Sequence, residues 1–65
     1  SMPMPESKLQ LGDRGVAVSR LAPSGKVEIC GEIFEARSID VYVEQRKEVE
    51  VIGFENFTVI VKKIN

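Results

Sequence analysis

The chain has 65 residues, room for one domain, and a chain of that size buries only about 60% of the surface its unfolded form exposes. Nine Lys and Arg stand against ten Asp and Glu, a formal charge of −1 that gives no strong pull toward nucleic acid or anionic lipid. With no histidine and one cysteine, an internal disulfide and a four-ligand zinc site of the usual kind are excluded, and no run of about 20 apolar residues is present to span a bilayer as a helix.

Ser1 and Met2 read as an expression remnant, and residues 2–7 (MPMPES) have the proline-rich, polar look of a linker. Residues 1–8 are therefore expected to be remnant and flexible linker, and residues 9–65 the folded domain of a longer protein. From there the hydrophobic period is two. Apolar and polar residues alternate in residues 16–21 (VAVSRL), 26–30 (KVEIC), 34–38 (FEARS), 48–51 (EVEV) and 57–62 (FTVIVK), as strands with one buried face require. A helical reading fails, because β-branched residues are dense and no apolar stripe at helical spacing persists. One helical turn is expected at residues 44–47 (EQRK), between two strands.

Turn chemistry places the connections. Ala22-Pro23-Ser24-Gly25 suits a type I turn followed by a left-handed glycine, a bulged hairpin between the first two strands. Gly31 reads as a bulge or corner where the sheet bends, and Glu55-Asn56 as a second tight hairpin with Asn56 at positive φ. A small strand set with a corner glycine argues for a closed barrel, which removes exposed edges. Alternation assigns Val16, Val18, Leu21, Val27, Ile29, Phe34, Ala36, Val43, Val49, Val51, Val59 and Val61 to the interior. Each larger one contributes about 1.5–3 kcal/mol on burial. Cys30, beside the corner, reads as a small apolar filler.

The spacing Gly12-x-x-Gly15-x-Ala17-x-x-x-Leu21-x-Pro23-x-Gly25-x-Val27-x-x-x-Gly31-x-x-x-x-Ala36 resembles the soluble C-terminal domain of NfeD-like membrane proteins. The later Val43, Val49-x-Val51 and Val59-x-Val61 are similar to that family's closing strands. Departures fall at Ala22, where the family often has a polar residue, and at Asp40, Arg46 and Asn56, where it commonly has glycine. Asp and Asn tolerate the left-handed backbone; Arg46 does so less readily. The resemblance implies an all-β, five-stranded OB-type Greek-key barrel. It also implies a non-catalytic, cofactor-free protein-interaction module of a membrane-anchored protein, acting with stomatin-, prohibitin- or flotillin-like membrane partners. The full-length protein is then expected in the cell membrane with this domain in the aqueous phase, on the cytoplasmic side.

The residues themselves offer no competing chemistry. Ser7, Ser19, Ser24 and Ser38 have no histidine partner, and a Ser-Lys pair through Lys26 or Lys62 has nothing else in its favour. Glu28, Glu35, Glu48 and Glu50 fall on the outward parity, as on a solvated sheet face. The alternative function is single-stranded nucleic-acid binding, which OB barrels perform with outward aromatics in a basic groove. Here Phe34, Phe54 and Phe57 are expected inside or clamping a turn, only Tyr42 points outward, and glutamates separate the basic residues. Tyr42, Ile52 and Ile60, apolar on the outward parity, are the expected partner surface.

Overall fold

The computed structural model describes residues 4–40 and 42–64; the proposed remnant, Ser1 and Met2, lies outside them. A 3₁₀ turn (Pro5–Ser7) precedes five strands: β1 (Arg14–Ala17), β2 (Ser24–Ile29), β3 (Glu32–Ser38), β4 (Glu48–Glu55) and β5 (Thr58–Lys63). They close in the order β1-β2-β3-β5-β4, with β4 returning to β1 through Arg14↔Glu50, Gly15↔Val49 and Val16↔Glu48. Every neighbour is antiparallel except β3 and β5, which run parallel. This is the all-β Greek-key barrel of the OB type.

Alternation builds the core. Ten of the twelve residues assigned to the interior are buried, and the two exceptions, Val16 and Val18, both lie in the first run. Val16 is 37% exposed and Val18 half-buried, whereas Ala17 between them is fully buried. The pair Ala17↔Val27 decides the matter, because Val27 is fully buried and its cross-strand partner shares its face. Ala17 is also bracketed by the 44–47 turn: its N–H donates to the Lys47 carbonyl at 2.9 Å and its carbonyl accepts from the Arg46 N–H at 2.7 Å. A small side chain suits a site so closely covered by backbone. Buried Leu21 keeps the parity of Ala17, so the inward set is 17 and 21 rather than 16 and 18.

Several connections differ from expectation. Ser24 and Gly25 already belong to β2, so the first connection runs over residues 18–23, with a cis Ala22–Pro23 bond, and no left-handed glycine forms there. Gly25 serves close approach instead: a Cβ there would lie 2.6 Å from the Arg20 carbonyl oxygen and 2.7 Å from Ser19 Oγ. Gly31 is not a barrel corner. With Cys30 at φ 54° and Gly31 at φ 81°, the two form the tight turn between the paired residues Ile29 and Glu32, a two-residue hairpin of the primed kind. Cys30 is consequently exposed at the tip of that turn rather than filling apolar space. Asn56 is left-handed, φ 57°, but its loop is Asn56-Phe57, because Glu55↔Thr58 carries β4 one residue further than expected. Phe57 is thereby 56% exposed and does not clamp the barrel, while Phe54 packs against the core. Arg46 has φ 76° within the turn before β4, where Lys47 N–H donates to the Glu44 carbonyl.

The segment before β1 is also part of the fold. Pro5 is buried, Leu9 joins the core at 4% exposure, and Lys8 Nζ pairs with Glu32 at 3.0 Å. Residues 5–7 form the 3₁₀ turn and Lys8 closes it, its N–H donating to the Pro5 carbonyl at 2.9 Å.

Candidate functional site

The outer surface of the β3-β5-β4 layer carries two of the three expected partner residues, Ile52 and Ile60. Arg37, Ile60 and Gly53 form one row across the three strands, by the pairs Arg37↔Ile60 and Gly53↔Ile60. A bulge between Val51 and Gly53 sets the extra residue, Ile52, beside that row and leaves it 36% exposed. Gly53 has no side chain to cover Ile60; even a Cβ there would stand 3.7 Å from the isoleucine Cβ. The ion pair Arg37–Glu55 joins β3 to β4 across β5, beside Ile60 and Thr58. The structure thus brings Ile52 and Ile60 together on a strip edged by charge.

Tyr42 keeps different company. It lies on the β3–β4 connection, 48% exposed, next to Val43, which bridges to Leu21. Its hydroxyl donates to Glu44 Oε2 at 2.9 Å, and the Arg20 guanidinium carbon stands 5.7 Å from the ring centroid, within cation–π range. The hydrogen bond to Glu44, together with that carboxylate's charge, raises the phenol above its ordinary value of 10.0, and Arg20 opposes the shift. The ring's hydrogen-bond and cation–π partners are Glu44 and Arg20.

The residues considered for chemistry have other work. Lys26 Nζ pairs with Glu35 at 3.3 Å and Lys62 Nζ with Glu50 at 3.9 Å, so both lysines are engaged by glutamates on neighbouring strands rather than by a serine. Ser7 Oγ donates to the Met4 carbonyl, while Ser19 and Ser38 accept from the N–H groups of Lys26 and Asp40. Among the described residues no cluster of three or more His, Cys, Asp and Glu could hold a metal ion. On the β2–β3 outer face, where an OB barrel would lay a nucleic-acid strand, Lys26 and Arg37 are each paired to a glutamate and Glu28 is exposed.

One feature was missed by patterning. A groove of about 330 Å³ opens beside β3, with Pro5, Ile33, Phe34 and Phe57 as its apolar walls. Ile33 is 54% exposed. The available signal was an isoleucine on the outward parity of an otherwise charged strand, EIFEARS.

A five-stranded barrel with paired surface charges, a partly exposed isoleucine strip and an apolar groove is a small β-barrel module whose distinctive features are surfaces for other molecules. The chain belongs to the NfeD-like C-terminal, partner-binding domain family, whose model matches residues 8–63. Among solved structures it is similar to the C-terminal domain of stomatin operon partner protein 1510-C from Pyrococcus horikoshii, with 27% identity, a TM-score of 0.83, and coverage of 100% of this chain and 98% of that one. It is also similar to the soluble domain of a membrane protein implicated in regulation of membrane protease activity from Corynebacterium glutamicum: 33% identity, TM-score 0.71, covering 78% of this chain and 86% of that one. No curated protein matches the chain in sequence. No helix among the described residues is long and apolar enough to cross a membrane.

Proposed function

We propose that this chain is the non-catalytic, partner-binding domain of a membrane-anchored NfeD-like protein, held in the aqueous phase on the cytoplasmic side. Its partners are membrane proteins of the stomatin, prohibitin and flotillin kind. The observation that carries this reading is the likeness, over the whole chain, to the domain of a stomatin operon partner protein. The match of a partner-binding family to residues 8–63 supports it. The face that meets the partner is the strip of Ile52 and Ile60, apolar side chains rimmed by charge on paired strands, with Tyr42, on the β3–β4 connection, as a second contact.

The test measures binding of a purified stomatin-like protein in lipid nanodiscs to the parent domain and to Ile60→Ala and Tyr42→Ala. Both positions are outside the core, so circular dichroism should be unchanged. Loss of roughly tenfold or more in affinity, the scale of an interface hot spot, is expected for Ile60→Ala. Parent affinity in both variants would remove these residues from the interface.

A further inference from the structure

The barrel is closed along only part of β3. One edge of β3 pairs with β2 along its whole length, from Glu32 to Arg37, but the other edge meets β5 only at Ala36, Arg37 and Ser38. The Ile39 N–H donates to the Val61 carbonyl at 3.0 Å, so backbone groups of the odd-numbered residues face the β5 side. Ile33 and Glu35 share that parity. Among the described residues the N–H and carbonyl of Ile33 and the N–H of Glu35 have no backbone partner. The groove walled by Pro5, Ile33, Phe34 and Phe57 lies along this same open edge. Unpaired strand groups beside apolar pockets are the two components of recognition by strand addition.

The occupant follows from charge and size. The charged groups around the groove cancel in pairs, Lys26 with Glu35 and Lys8 with Glu32, so nothing there calls for a charged ligand. The open edge, residues 32–35, spans about 13 Å at the rise of a strand. A stable contact with a second folded copy needs about 800 Å² and 20–30 residues a side, and a two-fold contact must be self-complementary, which a concave groove is not. We propose that residues 32–35 form a strand-addition site for a short, uncharged, extended segment of a partner protein. Its backbone completes the ladder at Ile33 and Glu35, and its alternate apolar side chains enter the groove between Pro5 and Phe57. This rests on the partner-binding reading and adds to it a further contact, apart from the strip of Ile52 and Ile60.

The experiment uses the whole chain, isotope-labelled, with blocked synthetic hexapeptides alternating valine or isoleucine with threonine. In the free domain the amides of Ile33 and Glu35 should exchange with solvent far faster than that of Phe34, which faces β2. Saturating peptide should slow exchange at Ile33 and Glu35 by roughly tenfold or more. Peptides N-methylated at alternate residues should fail to bind, and Phe57→Asp, a change in an exposed turn, should weaken binding by roughly tenfold. Protection of Ile33 and Glu35 in the free domain would mean that the edge is already filled and overturns the inference. So would the absence of slowing with every peptide, or slowing confined to other strands. The stomatin-like protein separates the two readings. If it binds Phe57→Asp as tightly as the parent, strand addition falls while partner binding stands. If it binds neither, the identity of the partner falls, and the peptide exchange data still decide the edge.

Discussion

Replacing Gly25 with alanine places a methyl group 2.6 Å from the Arg20 carbonyl oxygen, 2.7 Å from Ser19 Oγ and 2.8 Å from Leu21 Cδ2. None of these neighbours yields cheaply. The first is backbone, the second accepts the Lys26 N–H at 3.1 Å, and the third belongs to a fully buried side chain. Forcing a methyl into such a site costs about 1–3 kcal/mol, while the smaller unfolded-state entropy of alanine returns about 0.4–1 kcal/mol. The net destabilisation is about 1–2 kcal/mol, which for a domain of this size lowers Tm by about 5–15 °C. Thermal melting and urea denaturation followed by circular dichroism both read this. The urea m-value should stay unchanged, since the surface exposed on unfolding is the same. Stability equal to or above that of the parent would refute the claim that close packing, rather than turn conformation, requires glycine at this position.

Two further expectations test β1 and the β3–β4 connection. Val16→Thr should alter stability by no more than about 0.5 kcal/mol, whereas Ala17→Val should cost about 1–3 kcal/mol by overpacking. The reverse order in urea denaturation would restore Val16 to the interior. Tyr42, titrated by its ultraviolet phenolate absorbance, should ionise above 10.0, and Glu44→Gln should bring it down. Because the folded value is the raised one, the associated stability is present below the unfolded value and is lost as pH climbs through the folded value. In Glu44→Gln that alkaline loss should shrink; a Tyr42 titration unmoved by the substitution would show that the hydrogen bond is not formed in solution.

The alternation of side chains is a property of each short segment, and it was enough to place five strands and to choose most of the core, including Val27, Ile29, Val49, Val51, Val59 and Val61. Local chemistry likewise sufficed for Asn56, a residue whose side chain tolerates the left-handed backbone that its turn demands. The spaced glycines, proline and valines also carried the family. Parity in the run VAV could not be settled in this way, because both choices bury apolar atoms; the pairing of Ala17 with Val27 and the covering turn at residues 44–47 decided it. The reason for Gly25 was hidden for the same cause, since the groups it would strike come from a connection that folds back over it. The open edge beside Ile33 depends on how far β3 and β5 run together, and the placing of Tyr42 beside Arg20 depends on the β3–β4 connection bridging back to Leu21 through Val43. Parallel pairing between strands distant in sequence is fixed by closure of the whole barrel, so no window of neighbouring residues contains that information.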